Sequence, residues 1–90
     1  MKKAIITVVG KDTVGIIAKV CTYLSGSRVN VLDISQTIVS GYFNMMMIVD
    51  IENAAVSYDT LSAELENVGK EIGVVIKIQL EDIFDMMHRI

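Results

Sequence analysis

The stretch VVGKDTVGIIAKV, Val8 to Val20, holds the residues best suited to grip a small polar ligand. An apolar run stops at Gly10. Lys11, Asp12, Thr13 and Val14 follow, and Gly15 opens a second apolar segment at Ile16 and Ile17. A strand that turns into a helix explains the pattern. Gly10 lets the strand end in a turn with free dihedrals, and Gly15 lets the helix begin close to the sheet with no Cβ in the way. The amides of Thr13, Val14, Gly15, Ile16 and Ile17 then become the unpaired donors of a helix start, a cluster that favours a carboxylate. Asp12 fits two roles: it can cap the helix itself, or it can face the ammonium group of a ligand.

Other reactive residue types carry less. His88 is the single histidine and has no second ligand or base near it in sequence. Cys21, the single cysteine, falls on an apolar helix face and reads as a buried thiol. No CxxC pair is present, so a copper-chaperone site is not expected. Met45, Met46 and Met47 alternate across a strand, cannot converge on a metal, and read as packing residues. No metal site, no cofactor and no catalytic residue is expected. The net charge of −3 and the scattered lysines and arginines argue against a nucleic-acid stripe. An acylphosphatase-like enzyme would need an arginine in the first loop, which offers only Lys11.

These residues must be positioned by a small number of elements. Lys3 to Val9 is β-branched and reads as a strand. Ile16, Ile17, Val20, Cys21 and Leu24 share one helical face, and SGSR at 25–28 ends that helix, with Gly26 as its left-handed cap. Val29 to Val39 is a second strand, with Leu32, Ile34 and Ile38 on one side and Gln36 interrupting them. Ser40-Gly41 makes a hairpin turn into a third strand from Phe43 to Ile51, with Phe43, Met45, Met47, Val49 and Ile51 on one face. Ser57 or Asp59 caps a second helix with Leu61, Leu65, Val68 and Ile72 in one stripe, closed by Gly73. Val74 to Leu80 alternates as a fourth strand. The tail EDIFDMMHRI places Ile83, Met86, Met87 and Ile90 on one helical face.

The order βαββαβ predicts an α+β, ferredoxin-like sandwich: a four-stranded antiparallel sheet, two helices on one face, and a C-terminal helix. The domain is expected over 1–80, with 81–90 its helical extension. The open sheet face, carrying Ile5, Val9, Met46, Ile48 and Val75, needs a cover. Ninety residues bound the chain to one domain, and its 52 % hydrophobic content suffices for one core. No run approaches the roughly 18 apolar residues of a membrane span. The opening MKKAIITVVG reads as a strand rather than a secretion signal, and with a single cysteine this points to a cytoplasmic protein.

At GKDTVGIIAKV the chain resembles an ACT domain. Asp12, Gly15, Ile16 and Ile17 match the strand-to-helix loop of that family, with Val14 where proline is common. RVNVLDIS resembles the start of its second strand, where Asn30 and Val31 match, and GYFNMMMIVDI resembles its third. The likeness covers about residues 3 to 80 and is similar to the ACT modules of the glycine-cleavage regulator and of formyltetrahydrofolate deformylase. It implies a regulatory domain that binds an amino acid or related metabolite, forms a homodimer or higher even oligomer, and regulates a protein partner in trans. It further implies a site between the loop, Gly10 to Ile17, of one subunit and Asn30 of the other. Asn30 also fits a turn residue bonding its own backbone. A protein–protein interaction module with a degenerate ligand site is the alternative.

Overall fold

A computed structural model describes residues 1–11 and 14–81. Its elements run β1 (Lys3–Lys11), α1 (Ile16–Gly26), β2 (Asn30–Val39), β3 (Tyr42–Asp50), α2 (Tyr58–Ile72) and β4 (Val74–Leu80). The strands form one sheet in the order β2-β3-β1-β4, and every neighbouring pair is antiparallel. This is the ferredoxin-like βαββαβ arrangement that the hydrophobic periods predict. Asp12, Thr13 and the helix expected beyond Glu81 lie outside the described residues.

The period-2 pattern of the strands sorts their side chains to two faces. Ala4, Ile6 and Val8 of β1, Phe43, Met45, Met47 and Val49 of β3, and Val74, Ile76 and Ile78 of β4 pack against Ile16, Val20 and Leu24 of α1 and Leu61 and Leu65 of α2. Both helices therefore cover the same face. Two tyrosines fasten this layer. The Tyr23 hydroxyl donates to Glu64 Oε1 at 2.6 Å, joining α1 to α2, and the Tyr58 hydroxyl donates to the Ile78 carbonyl at 2.9 Å, joining α2 to β4. Ser57 is the cap of α2: its Oγ accepts from the Thr60 N–H at 3.2 Å.

One local reading stands and two are corrected. Ser40 and Gly41 do form the hairpin turn, with φ of 52° and 79°. After α1, however, the left-handed residue is Arg28 (φ 60°), whereas Gly26 remains the last helical residue. In β2 the register shifts between Val31 and Asp33, leaving Leu32 as an extra residue. The bulge brings Val31 and Ile34 to the same side of the sheet, opposite Val49 and Met47. Simple alternation places Leu32, Ile34 and Ile38 together on one apolar side; the bulge separates Leu32 from the other two. All three are instead substantially exposed, because β2 is an edge strand that the helix layer covers only in part: Val31, near its start, packs against the core, and the rest is left open.

Candidate ligand-binding site

The two glycines that bracket the first loop have exchanged reasons. Gly10 is not a turn residue. It lies within β1, paired with Val74 of β4. A Cβ on Gly10 would come 2.7 Å from Val74 Cγ1 and 3.0 Å from Val74 Cα, so the missing side chain allows the close approach of two strands. Gly15 is the reverse. A Cβ there would meet nothing within 4 Å, but its φ is +92°, a value that L side chains rarely adopt. Gly15 is the N-cap of α1, and its carbonyl accepts the first helical bond from the Lys19 N–H at 2.9 Å. The left-handed cap turns the chain sharply, so that Val14 stands fully exposed and Ile16 plunges into the core.

This turn opens a cleft. α1 sits over β1 and β3, and β2 continues past it with its helix-side residues uncovered. Gln36 is opposite Met45 and Ile38 opposite Phe43 in the register, so both share a face with the core. The result is a solvent-open cleft of about 500 Å³ lined by Gly15, Ile16, Ile17, Ala18, Gln36, Ile38 and Phe43. Its walls are largely apolar. Gln36 adds one amide that can both donate and accept. The backbone N–H groups of the first turn of α1, which a helix cannot satisfy internally, open at its rim. An apolar wall, an amide and a helix start together suit a small ligand with an apolar side chain and an anionic end.

Of the residues singled out in the sequence, Gly15, Ile16 and Ile17 line this cleft. Val14 stands beside it, and Gly10 contributes by packing rather than by contact. Asp12 and Thr13 are outside the described residues. Asn30 is not in this neighbourhood within one chain. It pairs with Asp50, which pairs with Lys3, whereas the loop leaves the sheet at the Gly10 end. Seven residues of strand separate those two ends, about 23 Å at the usual rise of 3.3 Å per residue. Gln36, Ile38 and Phe43 were missed as site residues. The available signal was Gln36 itself, a polar residue on the otherwise apolar side of a strand.

Electrostatics add little to the cleft. Tyr23 has its pKa raised above the ordinary tyrosine value, first by burial and then by its hydrogen bond to the Glu64 carboxylate, while Ser27 opposes the shift. That pair belongs to the helix layer. Another cleft, of about 370 Å³, runs between α2 and β4 past Glu66, Lys70 and Lys77. None of the candidate residues reaches it, and Glu66 and Lys70 face each other there at 3.6 Å. Among the described residues no group of three or more His, Cys, Asp or Glu side chains could hold a metal ion, and no helix is long and apolar enough to cross a membrane.

The sequence profile of the ACT domain family matches residues 2–79. The chain belongs to the ACT domain family. A UPF0237 protein of Bifidobacterium longum is 66 % identical over the full length of both chains. The solved structure of an ACT domain protein from Streptococcus pneumoniae superposes with a TM-score of 0.82 at 42 % identity, covering 92 % of this chain and 93 % of that one. A formyltetrahydrofolate deformylase from Pseudomonas syringae pv. tomato gives a TM-score of 0.82 at 21 % identity, with 89 % of this chain covering 28 % of that one. The last likeness is one of fold alone. As an ACT domain, the chain has the architecture of a regulatory, ligand-binding module in general.

Proposed function

We propose that this ACT domain binds an amino acid, or a metabolite with the same carboxylate and short apolar side chain, in the cleft between the start of α1 and β2. The observation that carries the reading is the cleft's composition: Ile16, Ile17, Ile38 and Phe43 offer an apolar wall beside the N–H groups of a helix start. The loop supplies the carboxylate contact through Gly15, Ile16 and Ile17, and Thr13 and Asp12 extend it, Asp12 toward the ligand's ammonium group. Asn30, some 23 Å away by strand rise, joins this site only from a second chain, so the proposal includes a homodimer or higher even oligomer with shared sites. The unpaired edge of β2 and its exposed Ile34, Ile38 and Val39 support such an assembly. The liganded oligomer regulates a separate protein partner in the cytoplasm, without catalysis of its own. The test is a thermal-shift panel of the protein amino acids against the whole chain. A ligand at 100 times its dissociation constant stabilises the native state by about 2.7 kcal/mol.

A second reading keeps the assembly and drops the ligand. The same exposed apolar β2 would then serve a protein–protein interface alone. It predicts that no member of the panel raises the melting temperature while Ile38→Asp still weakens the oligomer.

A further inference from the structure

β4 is the other edge of the sheet, and the hairpin fixes which of its backbone groups point outward. Ser40 and Gly41 both have positive φ, as a tight two-residue turn requires, so the flanking pair Val39 and Tyr42 is hydrogen-bonded. Bonded and non-bonded pairs alternate along each antiparallel ladder. Carried across β3 and β1, the alternation makes Val75, Lys77 and Gln79 spend their backbone groups on Val9, Thr7 and Ile5. Val74, Ile76 and Ile78 turn theirs away from the sheet. The Tyr58 hydroxyl agrees, since it donates to the Ile78 carbonyl from outside the ladder.

α2 guards this edge at both ends. Tyr58 holds the Ile78 carbonyl, and Gly69 lies against the Val74 carbonyl, where a Cβ would come within 2.6 Å of the oxygen. Between them the cleft of about 370 Å³ opens along β4, with Ser62, Glu66 and Lys70 of α2 as its far wall. The Ile76 N–H and carbonyl and the Ile78 N–H border it, and among the described residues no turn, cap or side-chain hydrogen bond uses them. The cleft has an uncompensated positive charge, although the chain carries −3. Glu66 and Lys70 offset each other at 3.6 Å, which leaves Lys77. Lys77 stands on the face opposite the helices, beside Thr7, Val75 and Gln79. The other charged residues of that face among those described are Lys3, Lys11, Asp33, Asp50 and Glu81. By strand rise and spacing they lie about 13–16 Å from Lys77, beyond the Debye length of about 8 Å.

We infer that the β4 edge takes a short extended segment of a partner protein as a fifth strand, bonded to Ile76 and Ile78, with an acidic residue beside Lys77. Alternate side chains of such a segment fall on opposite faces, so the residues between the acids are apolar ones that lie between Ile76 and α2. The inference rests on the β4 backbone, at the edge away from the α1–β2 cleft, and stands whether or not an amino acid binds there. The test is amide hydrogen exchange by NMR on the full chain, alone and with a capped seven-residue peptide of alternating valine and glutamate. In the free chain the Ile76 amide should exchange quickly, and those of Val75, Lys77 and Gln79 slowly. With peptide at nine times its dissociation constant, the Ile76 and Ile78 amides should slow about tenfold, the factor 1 + [L]/Kd. The same peptide with lysine for glutamate should bind the parent more weakly, and Lys77→Glu should reverse that order. Should the variant fold poorly, the two peptides on the parent still decide the charge. Ile76 and Ile78 unchanged at millimolar peptide, protection at Gln36 and Ile38 instead, or equal binding of the two peptides would overturn the inference. So would an Ile76 amide already protected in the free chain. Protection that grows with chain concentration would make the occupant a second copy, and protection independent of it would make the occupant the chain itself.

Discussion

The two edge strands of the sheet have similar sequences and opposite fates. β4 places Val74, Ile76 and Ile78 toward the helices, and they are 7 %, 4 % and 6 % exposed. β2 places Ile34 and Ile38 on the same side, at 42 % and 58 %. Aliphatic alternation is present in both, so residue type does not decide the difference. The position of the helix layer does. α2 follows β3 and leads directly into β4, and Gly69 lets it sit tightly there: a Cβ on Gly69 would lie 2.6 Å from the Val74 carbonyl oxygen. α1 is joined to α2 by Tyr23 and Glu64 and is drawn the same way. The layer is displaced toward β4, and β2 is left as apolar surface available to a ligand or a second chain.

The largest expected effect breaks the covered edge. Ile76→Ala should cost about 2–5 kcal/mol in urea denaturation, the range for truncating a large buried aliphatic residue. The matching Ile38→Ala should cost a small fraction of that, within the roughly 0.5 kcal/mol typical of surface positions. Equal losses at the two sites would erase the contrast between the edges.

The loop glycines sharpen it next. Gly10→Val forces a branched side chain into Val74 and should destabilise by about 1–3 kcal/mol or more. Gly15→Ala meets no atoms and should cost about 1–2 kcal/mol, through its left-handed backbone alone. Gly15→Asn should recover part of that loss, because asparagine tolerates this region, whereas Gly10→Asn should recover nothing. Denaturation midpoints of the four variants separate crowding from strain.

Tyr23→Phe should cost about 0.5–1.5 kcal/mol, the usual worth of one hydrogen bond. The pH dependence has a definite sign. Tyr23 has a folded pKa raised above its unfolded value of about 10. A phenol held more firmly protonated in the native state contributes its stability in full below pH 10 and loses it as pH rises through the folded value. Melting curves of the parent should therefore fall more steeply above about pH 10 than those of Tyr23→Phe. Identical alkaline profiles would show that the α1–α2 link does not hold the layer in place.

Much of the fold was legible because alternation and helical stripes record burial directly. Met45, Met47 and Val49 in β3 and Leu61 and Leu65 in α2 are buried as their periods require. β2 misled the reading for a physical reason: periodicity reports which side a residue faces, not whether anything covers that side. The bulge at Leu32 depends on pairing with β3 and leaves no local mark. The glycines were recognised as necessary and assigned the wrong necessity, because crowding at Gly10 comes from Val74, distant in sequence, and strain at Gly15 comes from a backbone angle. The loop half of the cleft was legible as far as Gly15, Ile16 and Ile17. Its β2 half was hidden in Gln36 and Ile38, whose importance follows from the sheet edge.

The most direct test of the account is backbone amide mapping by NMR of the whole chain, titrated with any amino acid that raises its melting temperature. Shifts concentrated at Gly15 to Ala18, Gln36 and Ile38, and abolished by Ile38→Asp with the fold intact, are the predicted result. Shifts gathered along Ser62, Glu66 and Lys77, or no member of the panel binding at all, would contradict the claim that the uncovered edge is the ligand site.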